Sequence, residues 1–208
     1  AKGHRFTLDS ILLADFCRIK PKDRVLEPGA GTGVISLLLA KKHRRAFFTA
    51  VEVQPQLVDL CERNIRDNSL EGRTTVIAHD LRRLGRTLAL GSFSVIVANP
   101  PYIKEGAGRN SPHAARQIAR HDRAESLGSW LNLHRLLKNS GKYCLVFPAA
   151  RLSELSTLMM RRKLEPKRLR LVHPYRDKPA SLVLLEALKE GGSGLEVLPP
   201  LIVHEPGG

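Results

Sequence analysis

The chain has 208 residues, 42% of them hydrophobic and 26% charged, and a formal net charge of +14. That length and apolar share fit one domain with a full core and exclude a disordered chain. No apolar run approaches the ~20 residues that cross a bilayer, and the start, Ala1-Lys2-Gly3-His4-Arg5, leads into an amphipathic pattern and not a signal-peptide core.

Helical and strand patterns alternate along the chain. A helix is predicted at about 9–18 with Asp9 or Ser10 as cap, then a short strand at 24–27, a glycine loop, and a helix from about 34 to 42. A strand at 46–53 precedes a helix that opens on Pro55 and runs to about 68. Strands at 74–78 and 93–98 are joined by a connection of weak helical character. A helix at about 123–137, a strand at 141–147 and a helix at 150–163 follow. This βα alternation implies a mostly parallel sheet with helices on both faces.

The end of the chain breaks the alternation. Two strand-like runs, 168–173 and 181–187, are separated only by Pro174-Tyr175-Arg176-Asp177-Lys178-Pro179-Ala180. A parallel join needs a crossover of about a dozen residues or more, so these two strands are expected to be antiparallel neighbours. The tail, 195–203, can add a further strand after the break at Gly191-Gly192-Ser193-Gly194. No internal repeat or boundary divides the chain, so residues 1–208 are expected to form a single domain. The missing initiator Met suggests that residues precede Ala1.

Cys17, Cys61 and Cys144 are scattered within apolar segments and read as buried, reduced thiols of a cytoplasmic protein. No Cys-x-x-Cys and no close His/Cys cluster suggests a metal site.

The charge points to a polyanionic partner, most simply nucleic acid. It is clustered in Lys41-Lys42-His43-Arg44-Arg45, in Arg161-Arg162-Lys163 and in Lys167, Arg168 and Arg170. Arg109, Arg116, Arg120 and Arg123 follow at spacings that would put much of the set on one helical face, a strip suited to phosphates.

Four successive strand ends carry candidate site residues. Glu27-Pro28-Gly29-Ala30-Gly31-Thr32-Gly33 follows the first strand and opens a helix. Its Gly29, Gly31 and Gly33 let the backbone approach a ligand closely. Glu27 would repel a pyrophosphate but attract an amino-acid ammonium group. Glu52 ends the second strand, where an acid can accept hydrogen bonds from both hydroxyls of a ribose. Asp80 ends the third, where an acid can accept from an adenine amine.

The fourth strand runs directly into Asn99-Pro100-Pro101-Tyr102. Two prolines forbid continuation of strand or helix and force a stiff loop. The loop offers the Asn99 amide, proline carbonyls with no competing N–H between them, and an aromatic face. That set suits a planar amine, with two acceptors for its two protons and a ring to stack on.

Together these residues resemble the class I S-adenosylmethionine-dependent methyltransferases, and Asn99-Pro100-Pro101-Tyr102 resembles the motif of those that methylate exocyclic or amide nitrogens. Three further stretches look like the bacterial valine-tRNA adenine-N6 methyltransferases, which act beside the anticodon. They are Gly3-His4-Arg5-Phe6-Thr7-Leu8-Asp9-Ser10-Ile11-Leu12-Leu13-Ala14, Ala115-Arg116-Gln117-Ile118-Ala119-Arg120-His121 and Arg168-Leu169-Arg170-Leu171-Val172-His173-Pro174. The ending Leu198-Pro199-Pro200-Leu201-Ile202-Val203-His204 fits too, while Glu27-Pro28 replaces the commoner Asp-Leu of that family's loop.

The resemblance implies a three-layer α/β/α Rossmann-like methyltransferase domain, with a mostly parallel seven-stranded sheet and one antiparallel strand. It implies S-adenosylmethionine bound by Glu27, Gly29, Gly31, Gly33, Glu52, Asp80 and Asn99, and catalysis by Asn99, Pro100, Pro101 and Tyr102 without a metal. The partner is RNA, expected to be tRNA, held by Arg109, Arg116, Arg120 and Arg123. A monomeric, RNA-binding cytoplasmic enzyme is expected. Two alternatives stay open: a protein glutamine N5-methyltransferase using the same loop on an amide, and a non-catalytic RNA-binding module on a methyltransferase-like fold.

Overall fold

The structure is a computed structural model and describes residues 8–101 and 127–204. Helix α1 (Leu8–Phe16) precedes strand β1 (Arg24–Pro28), helix α2 (Val34–Lys42), strand β2 (Phe47–Glu52), helix α3 (Pro55–Asp67) and strand β3 (Thr74–Ala78). A 3-10 turn (Leu81–Arg83) and the short helix α4 (Leu84–Thr87) lead into strand β4 (Phe93–Ala98). Then come helix α5 (Leu127–Leu131), strand β5 (Leu137–Pro148), helix α6 (Leu152–Met160), strand β6 (Leu164–His173) and strand β7 (Leu182–Lys189). Two strands of two residues each, β8 (Glu196–Val197) and β9 (Leu201–Ile202), complete the sheet.

The strand order is β3-β2-β1-β4-β5-β7-β6-β8, with β9 also on β6. Among the main strands of the described residues only β7 runs against the others, pairing antiparallel with both β5 and β6. The short join after β6 thus does what its length dictates. Among the described residues the sheet has nine strands where seven were expected, the difference being β8 and β9, which the tail adds in parallel to β6.

Alternate residues of the central strands feed two cores, one on each face of the sheet. Val25, Ala50, Val95, Val97, Cys144 and Val146 face one cluster with Leu13, Leu39 and Ile65 of α1, α2 and α3. Their neighbours Leu26, Val51, Ile96, Leu145 and Phe147 face the other, with Leu84, Trp130 and Leu155. That period of two with both faces covered is what makes β4 buried along its whole length and apolar but for Ser94, whose Oγ accepts from Arg24 N–H.

Several boundaries differ from expectation for local reasons. β5 begins at Leu137, not 141, because Leu137 pairs with Phe93 before the register shifts. Ser140, with φ of 57°, sits in the irregular stretch. β6 begins at Leu164 and passes through Pro166, which is accommodated where the register shifts before Arg168. The helix expected at about 123–137 is α5 followed by a 3-10 turn (Asn132–Leu136); residues 123–126 lie outside the described residues.

Candidate active site

The four site-bearing strands are neighbours in the order β3, β2, β1, β4, all parallel. Their carboxyl ends therefore lie side by side. At ~4.8 Å per strand, the row from the end of β3 to the end of β4 spans about 14 Å. The chain's direction across the sheet reverses between β1 and β4, so the row straddles the switch point where open α/β sheets bind ligands.

The loop after β1 is shaped by its glycines. Gly33 has φ of 78° and ends the loop as the residue before α2. A Cβ there would lie 2.4 Å from Cys61 Sγ on α3, so a side chain is excluded by conformation and by space. A Cβ on Gly29 would lie 2.5 Å from Cη2 of Trp130, whose indole packs against the loop from α5.

Glu27 is buried, and its Oε2 accepts from Ser36 N–H at 2.8 Å and from the Ser36 hydroxyl. Ser36 is the third residue of α2, and its N–H is one of the donors that a helix start leaves unpaired. Gly33 has no side chain to cap that helix, so Glu27 supplies the acceptor from nine positions upstream. Burial pushes the Glu27 carboxyl up from 4.5 to about 7, against the lowering effect of the Ser36 bonds and with a smaller push from Glu52.

Glu52 is buried at the end of β2 and held by three backbone donors. Its Oε2 accepts from Gly31 N–H at 2.8 Å, and its Oε1 from Val53 and Gln54 N–H at 2.9 and 3.0 Å. A carboxylate has about four acceptor positions, so one remains, on Oε2. Gly31 is the open part of the loop, for a Cβ there would meet nothing within 4 Å.

Asp80 follows β3 and caps the 3-10 turn by accepting from Arg82 N–H at 2.9 Å. The Arg82 guanidinium also forks onto both carboxylate oxygens, through Nε at 3.0 and 2.9 Å and through a terminal nitrogen. That fork, with the Arg82 N–H and charge, holds the Asp80 carboxyl down to about 2 despite some desolvation.

β4 delivers Asn99 and Pro100 to the end of the row next to β1 and its glycine loop. Asn99 Nδ2 donates to Ser10 Oγ on α1 at 3.2 Å. Pro100 is buried and Pro101 exposed. Tyr102, Arg109, Arg116, Arg120 and Arg123 lie outside the described residues. Among the described residues, no group of three or more His, Cys, Asp or Glu side chains could hold a metal ion, and no helix is long and apolar enough to cross a membrane.

The sequence model of one family, described as the methyltransferase small domain, matches residues 6–128, more than half of the chain. The chain belongs to the methyltransferase small domain family. A tRNA1(Val) (adenine(37)-N6)-methyltransferase of Tolumonas auensis is 34% identical over 182 residues, covering 85% of this chain and 73% of that protein. One from Vibrio campbellii is 26% identical over 203 residues, covering 97% and 82%. Among solved structures, one described as a predicted O-methyltransferase of Agrobacterium tumefaciens superimposes with a TM-score of 0.75 at 23% identity, covering 97% of this chain and 90% of that one. At that identity the likeness shows the fold.

In this methyltransferase small domain, the residues present suit S-adenosylmethionine: the backbone at Gly31 is open and donates to the buried carboxylate of Glu52, and the buried carboxylate of Glu27 stands at the start of the same loop. Ser36, Ser10 and Arg82 were not among the expected site residues. Only Arg82, two positions from Asp80, lay within reach of a local pattern.

Proposed function

We infer that this protein transfers the methyl group of S-adenosylmethionine to the exocyclic N6 amine of an adenine in tRNA, beside the anticodon. The observation that carries the reading is the placement of Asn99-Pro100 at the end of β4, next to β1 and its glycine loop. The related proteins whose names specify adenine 37 of tRNA1(Val) support the choice of substrate. We read the protein as a monomer acting in the cytoplasm.

In this reading Glu27 faces the ammonium group of the cofactor, and Glu52 Oε2 accepts from a ribose hydroxyl. To accept from both hydroxyls, Glu52 must release one of its three backbone donors. Asp80 faces the cofactor's adenine amine and accepts from it by releasing part of the Arg82 fork, which fills its acceptor positions. When bound, S-adenosylmethionine supplies an electrophilic methyl group on a positively charged sulfur that leaves as a neutral thioether.

The chain's own residues deal with the acceptor. An exocyclic adenine nitrogen is a poor nucleophile because its lone pair is delocalised into the ring. Asn99 Oδ1 and the Pro100 carbonyl each accept a hydrogen bond from one of its N–H groups, which favours a pyramidal nitrogen and frees the lone pair; once methylated, the nitrogen sheds one of these protons to solvent. Residue 101 is also proline, so no N–H follows Pro100 to compete for the amine's place. Tyr102 stacks on the base, a contact worth ~1–3 kcal/mol. Positioning supplies most of the acceleration. Arg109, Arg116, Arg120 and Arg123 take the flanking phosphates.

Transfer of a labelled methyl group into RNA or into protein tests the reading. Label in tRNA supports it, and label in a protein glutamine, or none in either, overturns it. Calorimetry on Glu52→Ala tests the cofactor half: a loss of ~1–3 kcal/mol of S-adenosylmethionine affinity is expected for a carboxylate hydrogen bond.

A further inference from the structure

A second group of side chains gathers at the same end of the sheet, on the far side of Asn99 from the glycine loop. β6 runs parallel to β5 and β4, because β7 is antiparallel to its two neighbours. His173 therefore lies at the carboxyl ends of the parallel strands. The chain turns there through residues 174–181. Lys178 N–H donates to Tyr175 O at 3.2 Å, His173 Nδ1 lies 2.8 Å from Lys178 O, and Ser181 N–H donates to Val172 O at 2.9 Å.

The tail then straps this turn. β9 pairs with β6 at Val172 and His173, and Val203 and His204 N–H donate to the carbonyls of His173 and Pro174, each at 2.9 Å. The two late motifs, 168–174 and 198–204, thus meet at one place, which their separation in sequence does not suggest. The result is an aromatic pair at the surface. The Tyr175 and His204 rings lie with centroids 5.1 Å apart and planes at 34°. Tyr175 is 42% exposed, and His204, Arg176 and Lys178 are exposed beside it. The one acid in the turn, Asp177, is exposed and paired with Lys178 at 3.5 Å.

A large aromatic ring held at the surface by backbone hydrogen bonds, with cations on the same turn, is the chemistry of a stacking platform for single-stranded nucleic acid. From β4 to β6 is three strand steps, about 14 Å across the sheet, and the registers put His173 three residues beyond the level of Asn99, about 10 Å along the strands, so the two ends are roughly 17 Å apart. That is about five times the ~3.4 Å rise of one stacked nucleotide, so a target adenine at Asn99 leaves nearby nucleotides over this turn. We propose that Tyr175, His204, Arg176 and Lys178 form a platform that holds an unpaired base of the RNA substrate a few nucleotides from the methylated adenine. This rests on the tRNA reading above.

The test compares wild type, Tyr175→Ala, Tyr175→Phe and the double variant Tyr175→Ala/His204→Ala, using an unmodified tRNA anticodon stem-loop and filter binding. Tyr175→Ala is expected to weaken RNA binding about tenfold or more, the double variant further, and Tyr175→Phe little, because a ring stacks without its hydroxyl. KM for the stem-loop should rise while kcat at saturation, S-adenosylmethionine affinity and Tm stay at wild-type values. Wild-type RNA affinity in Tyr175→Ala overturns the platform while leaving the tRNA reading intact. Label entering a protein and not RNA in the wild type overturns the reading, and the platform with it. A loss confined to a protein substrate would assign this face to a protein partner and overturn the proposal.

Discussion

Asn99 Nδ2 donates to Ser10 Oγ across 89 positions of sequence, tying the end of β4 to α1 at 3.2 Å. An amide has its donor and its acceptor on opposite arms. Engaging Nδ2 at Ser10 therefore fixes the direction of Oδ1, the arm assigned to the acceptor amine. Ser10 is buried, so the bond is shielded from water.

Ser10→Ala removes one neutral hydrogen bond, worth ~0.5–1.5 kcal/mol. The expected outcome is a kcat lower by roughly 2- to 10-fold with S-adenosylmethionine affinity unchanged, read from steady-state kinetics and calorimetry. Ser10→Thr, which keeps a hydroxyl, should recover most of the rate. A kcat unchanged in Ser10→Ala would show that Asn99 is oriented by its other contacts.

Glu27 predicts a pH dependence. Its carboxyl titrates at 4.5 when unfolded and at about 7 in the fold. Between these values the unfolded chain holds fewer protons than the native one. Stability therefore falls as pH rises through this window, by up to about 3 kcal/mol, and the loss is complete above it. Melting curves from pH 5 to 8 should show this decline in wild type and a flatter profile in Glu27→Gln. Binding of an ammonium group favours the ionised carboxylate, so S-adenosylmethionine affinity should rise from pH 6 to 7.5 in wild type. Parallel profiles for the two proteins would remove Glu27 from both roles.

Gly33→Ala tests the loop. The left-handed conformation costs alanine about 1–2 kcal/mol, and the clash with Cys61 Sγ implied by a 2.4 Å approach adds roughly 1–3 kcal/mol. At ~2–4 °C per kcal/mol for a chain of this size, Tm should fall by roughly 5–15 °C. Gly33→Ala/Cys61→Ala should recover the steric part alone, a coupling that calorimetry of the double-mutant cycle measures. Additive effects would mean that Cys61 yields freely.

What was legible in the sequence was local or periodic. The alternating apolar runs gave β2, β3 and β4 nearly to the residue, and the short join after His173 gave the reversed strand. The acids at the strand ends were legible because a strand's end is marked by where its apolar run stops. Pro166 hid the start of β6, since a proline inside a strand is tolerated only at an irregularity that pattern alone does not reveal. Ser36 under Glu27, Ser10 under Asn99 and His204 beside Tyr175 are contacts made by the fold, and no spacing announces them.

The basic residues divide by position. Arg44 and Arg45 are exposed in the turn before β2, about 20 Å from the end that carries Glu52. Replacing both by alanine should leave specific tRNA binding nearly intact. Replacing Arg116 and Arg120 should weaken it and flatten the slope of log affinity against log salt, because fewer phosphate counterions are released. Filter binding at several salt concentrations decides between them, and equal losses would mean that the +14 acts only as a diffuse field.

The central claim is tested most directly by locating the methyl group. Unmodified tRNA is incubated with labelled S-adenosylmethionine and either wild type or Asn99→Ala, digested to nucleosides and analysed by mass spectrometry. The account predicts label in N6-methyladenosine from wild type and a rate about 10²-fold lower or less from Asn99→Ala, with cofactor affinity retained. Label in any other nucleoside, or an Asn99→Ala rate near wild type, would contradict it.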